Sequence, residues 1–105
     1  TVGVGYHELR TAAVMTLGKH YPNPSVGWTN MPYTLHRPGD VRWAVYDLQG
    51  RRVAEEQLGA RTAGEHTVQL QLAERGLRDG AYVFQLTTET NEGAFHATRR
   101  LAQVK

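Results

Sequence analysis

Apolar and polar residues alternate with a period of two along most of this chain. Met31, Tyr33 and Leu35 are set against Pro32, Thr34 and His36, and Pro38-Gly39-Asp40 follows as a turn. Val41, Trp43 and Val45 then share one face, while Arg42, Ala44 and Tyr46 share the other. Such alternation marks a strand buried on one side, because successive side chains leave a strand in opposite directions. Asp47-Leu48-Gln49-Gly50 predicts a tight turn, since Asp bonds the backbone N–H groups ahead of it and Gly tolerates positive φ. The next strand is expected from Arg51 to about Leu58, anchored by Val53 and Leu58. Their unequal parity predicts a bulge near Glu55-Glu56.

Gly59 to Gly64 reads as a loop. His66, Val68, Leu70 and Leu72 then face one way, toward the core, and Thr67, Gln69 and Gln71 the other. Gln71 to Leu77 has room for one helical turn, and Arg75 to Gly80 forms a turn region. Tyr82, Phe84 and Leu86 alternate with Val83, Gln85 and Thr87 in the strongest central strand. Asn91-Glu92-Gly93 closes a hairpin onto a last strand from about Phe95 to Val104.

Ahead of these, residues 1–16 read as a linker or an accessory edge strand, with Val14-Met15-Thr16-Leu17 apolar enough to enter a core. Tyr21-Pro22-Asn23-Pro24 is expected to be a stiff extended entry, because proline fixes φ and pushes its predecessor toward extended conformations. Ser25-Val26-Gly27 then turns the chain. Six or seven short strands joined by Gly, Asp and Asn turns predict an all-β fold, an antiparallel sandwich with Trp43, Leu70, Tyr82, Phe84 and Leu86 at its centre.

Composition narrows the function more than the fold. The 105 residues make one domain. Folding leaves about 5,900 Å² exposed against about 17,000 Å² unfolded, enough for one thin core. There is no cysteine, which excludes disulfides and thiolate chemistry, and Ser25 is the single serine. Net charge is +2, from scattered cations whose adjacent arginine pairs are Arg51-Arg52 and Arg99-Arg100. No basic face with interleaved aromatics appears, so nucleic acid is not an expected partner. No run approaches the roughly 20 apolar residues of a membrane span. The start, Thr1-Val2-Gly3-Val4-Gly5, is no signal peptide and lacks an initiator Met. The chain is therefore expected to be a piece of a longer protein, with any export signal upstream.

Candidate chemistry is sparse. The five histidines never lie close together or near a second ligand in a zinc pattern. Asp40, Asp47 and Asp79 sit in turns, and Glu55 and Glu56 face opposite sides of a strand, which is poor geometry for paired carboxylates. Ser25 follows Pro24 without a nucleophile elbow, and Gly3-Val4-Gly5 lacks the rest of a phosphate-binding loop. No enzyme activity, metal or cofactor is expected. A binding module remains open, with Trp28 in a loop as a platform for sugars, and so does a plain structural spacer.

Taken in order, several pieces resemble one family. They are Tyr21-Pro22-Asn23-Pro24, the Tyr33/Leu35 strand, Gly39, Val41 to Asp47, Gly50-Arg51 with Val53, Ala63-Gly64-Glu65-His66, Gly80-Ala81-Tyr82, and the end Arg99-Arg100-Leu101-Ala102-Gln103-Val104-Lys105. Their order and spacing over residues 17–105 are similar to the C-terminal sorting domain of type IX secretion substrates of the Bacteroidetes and their relatives. The Ig-like domain of flagellar hook-capping proteins shares the strand pattern.

The resemblance implies an Ig-like sandwich of about seven strands over residues 17–105 that acts as an address and not as a catalyst. It implies export through the periplasm to the cell surface or beyond, with the type IX outer-membrane translocon, shuttle and sortase proteins as partners. It places recognition in Arg99, Arg100, Leu101, Val104 and Lys105, and removal by a sortase within or before Thr1 to His20. Tyr21, Pro22, Asn23, Pro24, Asp47, Gly50, Gly64, Gly80 and Tyr82 carry the family motif. Ala102 and Gln103 depart from it, standing where many members carry a more apolar pair. A terminal strand of this kind suits β-augmentation by a receptor, or self-association. From the residues alone, Arg99 and Arg100 read more readily as ordinary gatekeeper charges on an edge strand, and only the resemblance reverses that preference.

Overall fold

Period-two alternation buries one face of each strand only if a second layer covers it, and here two sheets cover each other. A computed structural model describes residues 13–104. Within it the strands are β1 (Met15–Leu17), β2 (Thr29–Leu35), β3 (Gly39–Tyr46), β4 (Arg52–Arg61), β5 (Gly64–Leu70), β6 (Gly80–Thr90) and β7 (Gly93–Gln103). One sheet has the order β1-β2-β5 and the other β4-β3-β6-β7. Every neighbouring pair is antiparallel, which makes the molecule an all-β, Ig-like sandwich.

The inner faces are those the alternation predicts. Met31, Tyr33, Leu35, Val68 and Leu70 come from the smaller sheet, and Val41, Trp43, Val45, Phe84 and Leu86 from the larger. In a chain without cysteine, hydrophobic packing alone joins the layers; within the larger sheet the Trp43 and Phe84 rings lie 6.1 Å apart and tilted, and the Arg75 guanidinium sits 4.9 Å from the Trp43 ring centroid. Leu72 and Leu77, also buried, close one end from a run of turns rather than the expected helical turn, with Leu77 N–H donating to the Leu72 carbonyl at 3.0 Å. Tyr82 opens β6 inside the core, and its hydroxyl donates to the Arg78 carbonyl at 2.7 Å. That bond is the tyrosine corner of immunoglobulin-type sandwiches.

Several expectations need correction. The segment Gly59 to Gly64 is mostly strand, because β4 continues to Arg61 before β5 begins at Gly64. The irregularity expected near Glu55-Glu56 is instead two bulges, leaving Val53 and Leu58 as extra residues between successive pairs with β3. Both were expected as anchors; Val53 is exposed, Leu58 only packs at the margin, and Ala54 is the buried residue of the strand. His66 lies on the core-facing side but at its rim, stacked 5.3 Å from Tyr33 with Nε2 2.8 Å from the Thr62 carbonyl.

Tyr21 to Pro24 is not extended but bent, with both X-Pro bonds cis. Met15 and Thr16 of the expected linker or edge strand join Leu17 in β1, an edge of the smaller sheet, and Val14 and Met15 are buried. Residues 1–12 of that segment lie outside the described residues.

Candidate functional site

The last strand is positioned by a tight hairpin. Thr90 pairs with Gly93, and the Thr90 hydroxyl accepts the Glu92 N–H at 3.1 Å, which turns β6 back into β7. From there β7 stays in a single register with β6, from Ala94 opposite Glu89 to Gln103 opposite Gly80. Odd-numbered residues face the core: Phe95, Leu101 and Gln103 are buried, and Ala97 packs against the cluster. Even-numbered residues Ala94, His96, Thr98, Arg100 and Ala102 are exposed.

This parity divides the expected recognition residues. Leu101 is core, not display, at 2% exposure. Arg99 is half-buried, and one guanidinium N–H donates to the Leu17 carbonyl at 2.9 Å, tying β7 to β1. Arg100 and Val104 are exposed. Lys105 lies outside the described residues.

The end of the strand is fastened by a contact that the sequence reading missed. Ser25 forms a parallel bridge with Gln103, its N–H donating to the Ala102 carbonyl and its own carbonyl accepting from Val104 N–H, both at 2.8 Å. Its hydroxyl lies 2.9 Å from the Ala102 carbonyl and 2.8 Å from Gln103 Oε1, which also accepts the Gly27 N–H at 3.1 Å. Ser25 and Gln103 are fully enclosed, so their polar atoms satisfy one another. Gln103 therefore accepts burial by bonding its amide oxygen. A signal for this was present: extending the odd parity of Phe95 and Leu101 puts Gln103 inside.

Tyr21 to Pro24 carries the chain from the smaller sheet to this bridge. Tyr21 and Asn30 exchange backbone bonds at 3.0 and 2.7 Å, and the Pro22 carbonyl accepts the Thr29 hydroxyl at 3.0 Å. Tyr21 and Val26 are exposed, as is Trp28 at 38%, just after the bridge.

The Asp47 turn caps the same end of the larger sheet, since Tyr46 opposes Val83 and Gly80 opposes Gln103. Asp47 Oδ1 accepts the N–H groups of Arg51 (2.9 Å) and Gln49 (3.0 Å). The Arg51 N–H above all, helped by the Arg51 guanidinium and the Gln49 N–H, holds the Asp47 carboxyl below its ordinary pKa against the opposing effect of burial. Gly50 completes that turn. Gly64 lies at the opposite end of the molecule, beside Leu35. Gly64 and Gly80 open their strands at φ +134° and +152°, with nothing within 4 Å of an added Cβ, so backbone conformation and not space demands glycine there.

The family sequence model described as "Secretion system C-terminal sorting domain" matches residues 19–96. That span holds every motif position from Tyr21 to Tyr82 and stops short of Arg99. No curated protein matches the chain. Among solved structures, dimeric latent PorU from Porphyromonas gingivalis is similar at TM-score 0.69 and 17% identity over 86% of this chain. The beta-glucuronidase of Parabacteroides merdae is similar at TM-score 0.60 and 15% identity over 85%. The chain spans only 9% and 14% of those two proteins, and at such identity the likeness is one of fold.

Proposed function

Because this chain belongs to the family of secretion system C-terminal sorting domains, the type IX tails, we propose that it is the address of an attached cargo protein. It directs that cargo through the type IX outer-membrane translocon to the cell surface or the extracellular space, with shuttle and sortase proteins acting on it in turn. The observation that carries the reading is the family match over residues 19–96, on a sandwich whose last strand forms a sheet edge. Such an edge can take a further strand from a receptor, and exposed Arg100 steers toward an acidic one. The pairing of β1 with β2 from Met15 on supports removal by the sortase ahead of that residue, within the range expected up to His20.

The test fuses residues 1–105 to a periplasmically exported reporter in a type IX-competent host. Surface delivery that requires the fusion supports the reading, and equal delivery of the bare reporter contradicts it. Deleting Arg100 to Lys105 would confuse the result, because it also removes the buried side chains of Leu101 and Gln103. Substitutions at exposed Arg100 and Val104 separate address from fold.

A further inference from the structure

Five arginines are neutralised by carboxylates: Arg37 by Glu92, Arg42 by Glu89, Arg51 by Asp47, Arg52 by Glu55 and Arg75 by Glu56. The cations where the segment after β1 meets β7 are among those without such a partner. Among the described residues, no carboxylate lies within ion-pair distance of Lys19, Arg99 or Arg100. With His20, Asn23 and Thr98, these three line an open cleft of about 520 Å³ that has no acidic residue in its wall.

Two groups at this cleft are buried without partners. His20 is only 6% exposed, and neither ring nitrogen makes a hydrogen bond; Arg99 Nε is likewise enclosed and unbonded. Buried polar atoms are almost always bonded, so this orphaned pair beside unpaired cations leaves bonding capacity that the chain itself does not fill. Burial, with a smaller contribution from the Arg99 charge, holds the His20 pKa below its ordinary value. The Asn23 side chain is near enough to pull the other way, yet makes no bond of good geometry. Burial thus favours the neutral His20 ring, which has one N–H to donate.

We propose that this cleft binds a phosphate-type oxyanion, the phosphomonoester of a sugar or of a lipid headgroup. Three cations match a dianion better than a single carboxylate. The donors arrive from two separate chain segments, which suits the several acceptor directions of a tetrahedral group. The cleft also exceeds a lone phosphate, leaving room for whatever bears it.

The test titrates the 105-residue chain by NMR with inorganic phosphate, glucose 6-phosphate, glucose and a glutamate-rich peptide, and by flotation with phosphatidylcholine vesicles with or without phosphatidic acid. Expected are saturable shifts of the His20 ring and of the Lys19 and Arg99 amides with the phosphates, and none with glucose. Arg99→Gln should weaken binding about tenfold, the loss of one charge-assisted bond. Because Arg99 also holds the Leu17 carbonyl, Lys19→Gln serves as the second variant, weakening binding roughly threefold to fivefold with the spectrum of the fold unchanged.

Flotation with phosphatidic acid would assign the phosphate to a lipid, and saturation by the sugar phosphate alone to a soluble ester; either outcome supports the proposal. Unsaturable or dispersed shifts, a glutamate-rich peptide binding where phosphate does not, or wild-type affinity in both variants would overturn it.

Discussion

The larger sheet has two edges, and they are built in opposite ways. The β4 edge is blunted: it carries bulges at Val53 and Leu58, and its exposed charges pair with one another and with the neighbouring turn, as Arg52 does with Glu55 and Glu56 with Arg75. Bulges and charges of this kind keep a foreign strand from adding on. The β7 edge is straight. It keeps one register over eleven residues, and among the described residues its outer side has backbone pairing only with Ser25, beside the Arg99 contact to Leu17 and the neighbouring Lys19–Asn23 segment. A protein guards one edge and leaves the other regular when the second has a use. Under the proposed function, the straight edge is the one open to a receptor strand, and the bridge to Ser25 marks where its open stretch ends.

Stability should report the same asymmetry. Leu101→Ala on β7 leaves a cavity in the core and should cost about 2–5 kcal/mol in denaturant unfolding. Val53→Ala on β4 should cost less than about 0.5 kcal/mol, because Val53 is a bulged, exposed residue. Equal costs would mean that the two edges are alike.

Ser25→Ala breaks the buried polar contact with Gln103 and should cost about 1–3 kcal/mol. It should also speed hydrogen exchange of the Val104 amide, which bonds the Ser25 carbonyl, while leaving β4 amides unchanged. Tyr82→Phe removes one hydroxyl bond to the Arg78 carbonyl and should cost about 1 kcal/mol, read by the same unfolding curves.

The smallest effect concerns pH. His20, which packs beside β7, has its folded pKa depressed below the ordinary value of 6.5. Its contribution is then fully present above pH 6.5 and is lost as the pH falls through the lowered folded pKa, since the unfolded chain binds the proton more readily. His20→Phe should flatten this acid-side decline in melting temperature; an unchanged profile would show that His20 does not titrate with folding.

Much of this was legible along the chain. The alternation around Trp43 and Phe84, the Asp47 turn and the Thr90–Gly93 hairpin all rest on local chemistry, and local chemistry shows in sequence. The β4 errors have one cause: parity counting assumes a regular ladder, and two bulges restored Ala54 to the core while expelling Val53. The Ser25–Gln103 contact spans 78 residues, and nothing local distinguishes a bridging serine from one in a turn. The cleft at His20 needs the same long-range closure, because Lys19 and Arg99 meet only once the sandwich forms. Among the expected recognition residues, the exposure of Arg100 and the burial of Leu101 follow from strand parity alone.

The most direct measurement compares the two edges as addresses. The reporter fusion would carry Arg100→Glu with Val104→Asp on the β7 side, or Arg52→Glu with Val53→Asp on the β4 side, all at exposed positions. With both variants folded, the β7 pair should trap the reporter in the periplasm while the β4 pair reaches the surface like the parent. Equal delivery by the two variants, or trapping by the β4 pair alone, would contradict the assignment of the signal to the last strand.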